Sequence, residues 1–200
     1  MEYLVTMTTH VPPGTTEATV EQVRTREAAH SRELAEQGHL LRLWRPPLQP
    51  GEWRSLGLFA AADESRLEEV LVSMPLRVWR TDDVTPLSPH PNDPARAAGK
   101  GVPEFLTSFA ITIPEGTPGQ AVEDTEAREA ARAKELAGQG HLERLWVLPG
   151  TGRTLGLWQA HDAADMEAIV RSLPLESASW MATEITPLTP HPSDPVVAGL

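Results

Sequence analysis

Glu27 stands where an apolar residue belongs. Between Glu17 and Gln37, Val20, Val23 and Leu34 mark an apolar helical stripe, and at about 100° per residue position 27 falls between Val20 and Val23. The pattern recurs further along, where Val122, Thr125 and Leu136 bracket Glu129. A carboxylate turned inward is costly unless paired or protonated, and burial raises its pKa toward neutrality. Beside a cavity, such a group has the properties of a general base. The same pattern also fits a structural ion pair, with an arginine such as Arg45 as the partner. In the strand that follows, alternation puts Arg42 and Trp44 on one face and Leu43 and Arg45 on the other, so Arg45 is the arginine expected to point the way Leu43 does.

Other residues offer less. His39 and His141 each follow a helix-ending glycine and suit a turn hydrogen bond; His90 and His191 sit among prolines in packed or solvated tails. Trp44, Trp146, Trp79 and Trp180 read most simply as core or interface aromatics, although each could line a pocket. No cysteine is present and no His pair has ligand spacing, so no metal site is expected. Phosphate-cradling glycine loops and the nucleophile elbow of serine hydrolases are also missing from the sequence.

The elements that must position these residues occur twice. Glu27-Ala28-Ala29, Glu33-Leu34-Ala35, Gln37-Gly38-His39-Leu40 and Arg42-Leu43-Trp44 return as Glu129-Ala130-Ala131, Glu135-Leu136-Ala137, Gln139-Gly140-His141-Leu142 and Arg144-Leu145-Trp146, 102 residues later. The offset is 99 at Pro75/Pro174 and 101 at Trp79/Trp180, so the copies differ by small loop insertions. Each ends on nearly the same tail, His90-Pro91-Asn92-Asp93-Pro94 against His191-Pro192-Ser193-Asp194-Pro195. Such a period is too long for a solenoid and fits a duplicated small domain. The expected division is residues 1–94, a linker over 95–102, and residues 103–200.

Each copy predicts β-α-β-β-α-β. In the first, strands over Tyr3–Thr8, His39–Trp44, Trp53–Ala60 and Asp82–Leu87 alternate with a helix from Glu17 to Gln37, stopped by Gly38, and another over Glu64–Ser73. In the second, strands over Phe105–Ile113, His141–Val147, Arg153–Gln159 and Thr183–Leu188 flank helices over Val122–Gln139 and Asp165–Ser172. The fold class is α+β, with two tandem ferredoxin-like domains expected to form a pseudo-dimeric α+β barrel. A cavity between each sheet and its helices would suit a small ligand.

Composition narrows the partners. The 200 residues carry a formal net charge of -11, which argues against nucleic acid. There is no leader-like start and no apolar run of membrane-spanning length, so a cytoplasmic protein without a membrane partner is expected. The expected assembly is an intramolecular pseudo-dimer, with a higher homo-oligomer as an option.

At the same residues the chain resembles the muconolactone Δ-isomerase family. The likeness rests on the strand Val5-Thr6-Met7-Thr8 with its proline turn, the helix carrying Glu27, the stop Gly38, Leu43-Trp44-Arg45, Met74-Pro75-Leu76 and the ending His90-Pro91. It spans residues 2–94 and, more weakly, 104–195. The resemblance implies a cofactor-free isomerase of aromatic catabolism that moves a double bond in a small lactone by proton transfer. The family's catalytic glutamate falls on Glu27 and, by the repeat, on Glu129. Arg45 would offset substrate charge; copy two has Val147 in its place. The alternative reading is a repurposed barrel that binds a small molecule or assists a cyclisation.

Overall fold

The computed structural model describes residues 1–95, 101–150 and 152–199. Of the linker expected over 95–102, positions 96–100 lie outside the described residues. The fold is α+β and forms two compact units, one comprising Met1–Leu87 with Thr189–Leu200 and the other Ser88–Leu188. The boundaries of these units differ from those of the sequence repeats, because the tail that follows each copy's last strand is counted with the opposite unit.

In unit 1, β1 (Glu2–Thr9) is central, paired antiparallel with β3 (Arg54–Ala60) on one side and β4 (Arg80–Pro89) on the other, and β2 (Leu40–Arg45) pairs with β3. Strict alternation in β1 sends Tyr3, Val5 and Met7 into the core, where Leu34, Phe59, Leu67 and Leu71 meet them. Helix α1 (Glu17–Glu36) starts where the Thr16 hydroxyl accepts the Thr19 N–H, and it stops at Gly38, whose φ of 74° is the left-handed conformation that glycine tolerates. Helix α2 (Glu64–Ser73) is capped by Asp63 and followed by a tight 3-10 turn, Pro75–Trp79, which the sequence pattern does not reveal. The outer edge of β2 pairs with Thr189 and Pro190, and the tail ends in a short helix within the same unit.

A bulge falls between Leu40 and Arg42 in β2, and alternation runs cleanly from there. Arg42 and Trp44 therefore share one face, with the guanidinium 4.8 Å from the indole centre, while Leu43 and Arg45 turn to the other.

Unit 2 repeats the plan. Strands β5 (Glu104–Ile111), β6 (Leu142–Val147), β7 (Arg153–Gln159) and β8 (Met181–Pro190) form the sheet with α3 (Gly119–Gly138) and α4 (Ala163–Arg171) on it. A single turn of α-helix, α5 (Pro174–Ser177), stands where unit 1 has its 3-10 turn. In both units the histidine after the helix-stopping glycine donates from Nδ1 to a strand carbonyl at 3.0 Å, His39 to Ala60 and His141 to Gln159. No helix among the described residues is long and apolar enough to cross a membrane.

Candidate active site

Glu27 reaches from α1 across the end of α2. Its Oε2 accepts the Leu76 N–H at 2.8 Å. That amide lies in the first turn of the 3-10 segment, where Pro75 supplies no N–H and the first N–H bonded within the turn is that of Arg77, to Met74 O at 3.0 Å. The carboxylate thus caps the turn while its other oxygen faces Arg80, whose Nη1 donates to Oε1 at 3.2 Å. With the side chain only 12 % exposed, burial pushes the Glu27 carboxyl above the usual carboxylate range, against the opposing effects of the Leu76 amide, Arg80 and His30.

Arg80 opens β4, and its side chain is almost wholly buried. Its Nε and Nη2 grip the two oxygens of Asp82 at 2.6 and 3.0 Å, a bidentate arrangement that fixes the guanidinium plane. Arg77 binds Asp82 and Glu68 and extends the network toward the surface.

These groups border a cavity of about 360 Å³ between the sheet and α1. Thr9, Ser31, Leu43, Ser55 and Met74 form part of its wall. Arg24, Arg32, Arg45 and Arg80 line it against two glutamates, Glu21 and Glu27. Arg24 stacks 5.7 Å from the Trp53 ring centre and lies 3.6 Å from Glu21. Among the described residues no carboxylate pairs with Arg45; its neighbour is His191 of the tail, Nη2 to Nε2 at 3.4 Å. The tail is clamped by Asp194, which is fully buried and accepts from Arg42 Nε and Nη2 and from the Leu43 N–H.

Unit 2 keeps the cap and loses the cavity. Glu129 Oε2 accepts the Leu175 N–H at 2.9 Å, and burial raises its pKa against that one hydrogen bond. Arg80 is replaced by Met181, Arg45 by Val147, Ser31 by Ala133, Met7 by Phe109 and Phe59 by Trp158. The indole of Trp158 donates to Thr107 at 2.8 Å and meets Phe109 edge-on, filling the interior. What remains is about 50 Å³, lined by Glu129, His90 and mainly apolar side chains, with no arginine or lysine.

The structure brings Glu27 and Arg45 to one cavity and leaves the tryptophans named from the sequence off both cavity walls. Trp44 and Trp146 are buried beneath Arg42 and Arg144, on the strand face opposite Leu43 and Leu145. Trp79 ends the 3-10 turn, and Trp180 packs half-buried against the unit 2 core. The ion-pair partner of Glu27 is Arg80 and not Arg45. Sequence reasoning misses Arg80 and Trp53 and leaves His191 a tail residue. A signal for Arg80 exists in the charged run Arg77 to Asp83 that enters β4.

Comparison with known proteins adds the family. Solved structures with this fold include a heme-binding protein from Thermus thermophilus (12 % identity, TM-score 0.60, 96 % of this chain and 93 % of that one) and chlorite dismutase from Candidatus Nitrospira defluvii (12 %, 0.57, 94 % and 91 %). At that identity they share the architecture alone. In sequence, the chain is 31 % identical over 89 residues to muconolactone Delta-isomerase 1 of Acinetobacter lwoffii, covering 44 % of this chain and 91 % of that protein. It is 29 % identical over 89 residues to muconolactone Delta-isomerase of Cupriavidus pinatubonensis, covering 44 % and 95 %. The muconolactone delta-isomerase family model matches residues 1–93 and again 104–194. The chain therefore belongs to the muconolactone delta-isomerase family, with the family's domain present twice.

Proposed function

We propose that the unit 1 cavity is a cofactor-free proton-transfer site that shifts a double bond in muconolactone or a similar small anionic lactone, and that Glu27 moves the proton. The observation that carries this reading is the position of Glu27: a carboxylate with raised pKa on the wall of a ligand-sized cavity, faced by arginines. Ionised Glu27 would take the γ-proton of the unsaturated lactone, acidified through the double bond conjugated with the carbonyl. The electron pair spreads into a dienolate, and the same carboxylic acid returns the proton at the carbon next to the carbonyl. One group serves as base and then acid, which suits a carboxyl that burial raises above the ordinary carboxylate range.

Arg45 supports the anionic part of the substrate, because its guanidinium borders the cavity and no carboxylate of the described residues neutralises it. Arg80 has a different part. Held by Asp82, it favours the charged form of Glu27 and provides positive charge near the developing enolate. Its single bond to Glu27 leaves lone pairs on both carboxylate oxygens free to take a proton. Glu129 has neither arginine and little space, so its retained role is the cap on Leu175.

The Glu27–Arg80 pair also favours the other reading, a barrel that binds a small anion without turning it over. Incubation with muconolactone in deuterated water separates the two. Isomerisation with deuterium incorporation supports the enzyme; saturable binding without exchange supports the binder.

A further inference from the structure

The tail residue His191 presents a donor to the cavity. A neutral imidazole carries its proton on one nitrogen and a lone pair on the other. The Ser193 N–H donates to His191 Nδ1 at 3.1 Å, so the lone pair is on Nδ1 and the proton on Nε2. Nε2 faces Arg45 Nη2 at 3.4 Å, and neither nitrogen can accept from the other, because a guanidinium is a donor only. Two N–H groups set side by side at a cavity wall make a place for a third group, an oxygen that accepts from both.

The rest of the site holds the imidazole in this state. Burial, Arg45 and Arg24 lower its pKa to about 4, against the opposing pull of Asp194. A protonated ring would also turn Nδ1 into a donor facing the Ser193 N–H. The backbone is fixed at both ends, with the His191 N–H donating to Leu43 O at 2.9 Å and the Asp194 N–H to His191 O at 2.8 Å. Unit 2 isolates what is special here. His90 is locked in the same way by the Asn92 N–H at 3.1 Å, yet Val147 stands where unit 1 has Arg45. The histidine turn is thus common to both tails, and the two-donor pair belongs to unit 1.

We infer that His191 is a ligand-binding residue of the unit 1 site, its Nε2–H and the Arg45 guanidinium donating together to a carboxylate or carbonyl oxygen of a small organic anion. The inference deepens the proposed function and rests on that cavity taking such an anion. It also gives the second copy a purpose apart from catalysis, since its tail supplies one of the two donors.

The test uses the full chain carrying Glu27→Gln, which stops turnover, with ¹⁵N-labelled histidine. Two probes are added separately: muconolactone, and levulinate, a small keto acid that has both kinds of acceptor oxygen and no double bond to move. Expected at pH 7 is the Nε2–H tautomer of His191, assigned by its loss in His191→Gln, with Nε2 and its proton shifting on addition of either probe. His191→Gln, whose amide nitrogen can replace Nε2, should bind within about threefold of the parent, and His191→Phe at least about tenfold more weakly. An Nδ1–H tautomer, or His191→Phe binding both probes as tightly as the parent, would overturn the inference, as would failure of both probes to bind. Levulinate binding through His191 without muconolactone binding would sustain it and refute the lactone reading alone.

Discussion

The Arg80 guanidinium holds Asp82 with two nitrogens and offers only the third to Glu27, at 3.2 Å. Its position is therefore set by Asp82, and the ionisation of Glu27 responds to a fixed charge instead of forming a mutually dependent pair. In the second copy the arginine is Met181, the aspartate Thr183, and the cavity has closed.

Arg80→Met, which installs the residue of copy two, removes a charge that favours ionised Glu27. The carboxyl pKa, already raised by burial, should rise further. The acid limb of kcat/KM against pH should then move to higher pH, with the rate at neutral pH falling about tenfold or more. Asp82 keeps Arg77, so the fold should survive. An acid limb that stays in place would show that Arg80 does not tune the base.

Glu129 gives a stability prediction with a defined sign. It ionises in the ordinary carboxylate range when unfolded and at higher pH when folded. The folded chain therefore holds the proton more tightly, and stability declines as pH rises through that interval. Glu129→Gln cannot ionise, and its amide oxygen still accepts the Leu175 N–H. Thermal unfolding should show this variant melting above the parent at pH 8, with the gap narrowing toward pH 5. A gap that is constant with pH would mean that ionising Glu129 costs the fold nothing.

Asp194→Ala should be among the most destabilising single changes. It removes the buried carboxylate to which Arg42 Nε and Nη2 and the Leu43 N–H donate, a loss of about 3–5 kcal/mol. Asp93→Ala, at the equivalent pair with Arg144, should cost less, because Arg144 is 17 % exposed against 9 % for Arg42. Urea unfolding of both variants checks the order. Equal and small losses would show that Asp194 does not clamp the tail.

Much of this architecture was legible because it depends on period and punctuation. The stripe of α1 placed Glu27, Gly38 ended the helix, and strand alternation separated Arg45 from Arg42. The same alternation put Trp44 away from Leu43, so its place off the cavity follows from the pattern that oriented Arg45. The remaining features depend on the folded chain. The Leu76 N–H is a backbone donor exposed only by the 3-10 turn. Arg80 is the first residue of a strand whose start the proline-broken segment obscured. His191 reaches the Glu27 cavity through tail pairing on β2, a contact far too distant in sequence for local patterning to reveal.

The most direct measurement compares Glu27→Gln with Glu129→Gln for muconolactone isomerisation and deuterium exchange. Each amide oxygen can keep its cap on Leu76 or Leu175. In Glu27→Gln the amide nitrogen then faces the Arg80 donor, so thermal unfolding of both variants is measured beside the assay to separate chemistry from folding. Glu27→Gln should lose about 10²- to 10⁴-fold in rate, the range for removal of a general base, while Glu129→Gln stays within about twofold of the parent. Activity retained in Glu27→Gln, or halved equally in both variants, would contradict a single proton-transfer site in unit 1.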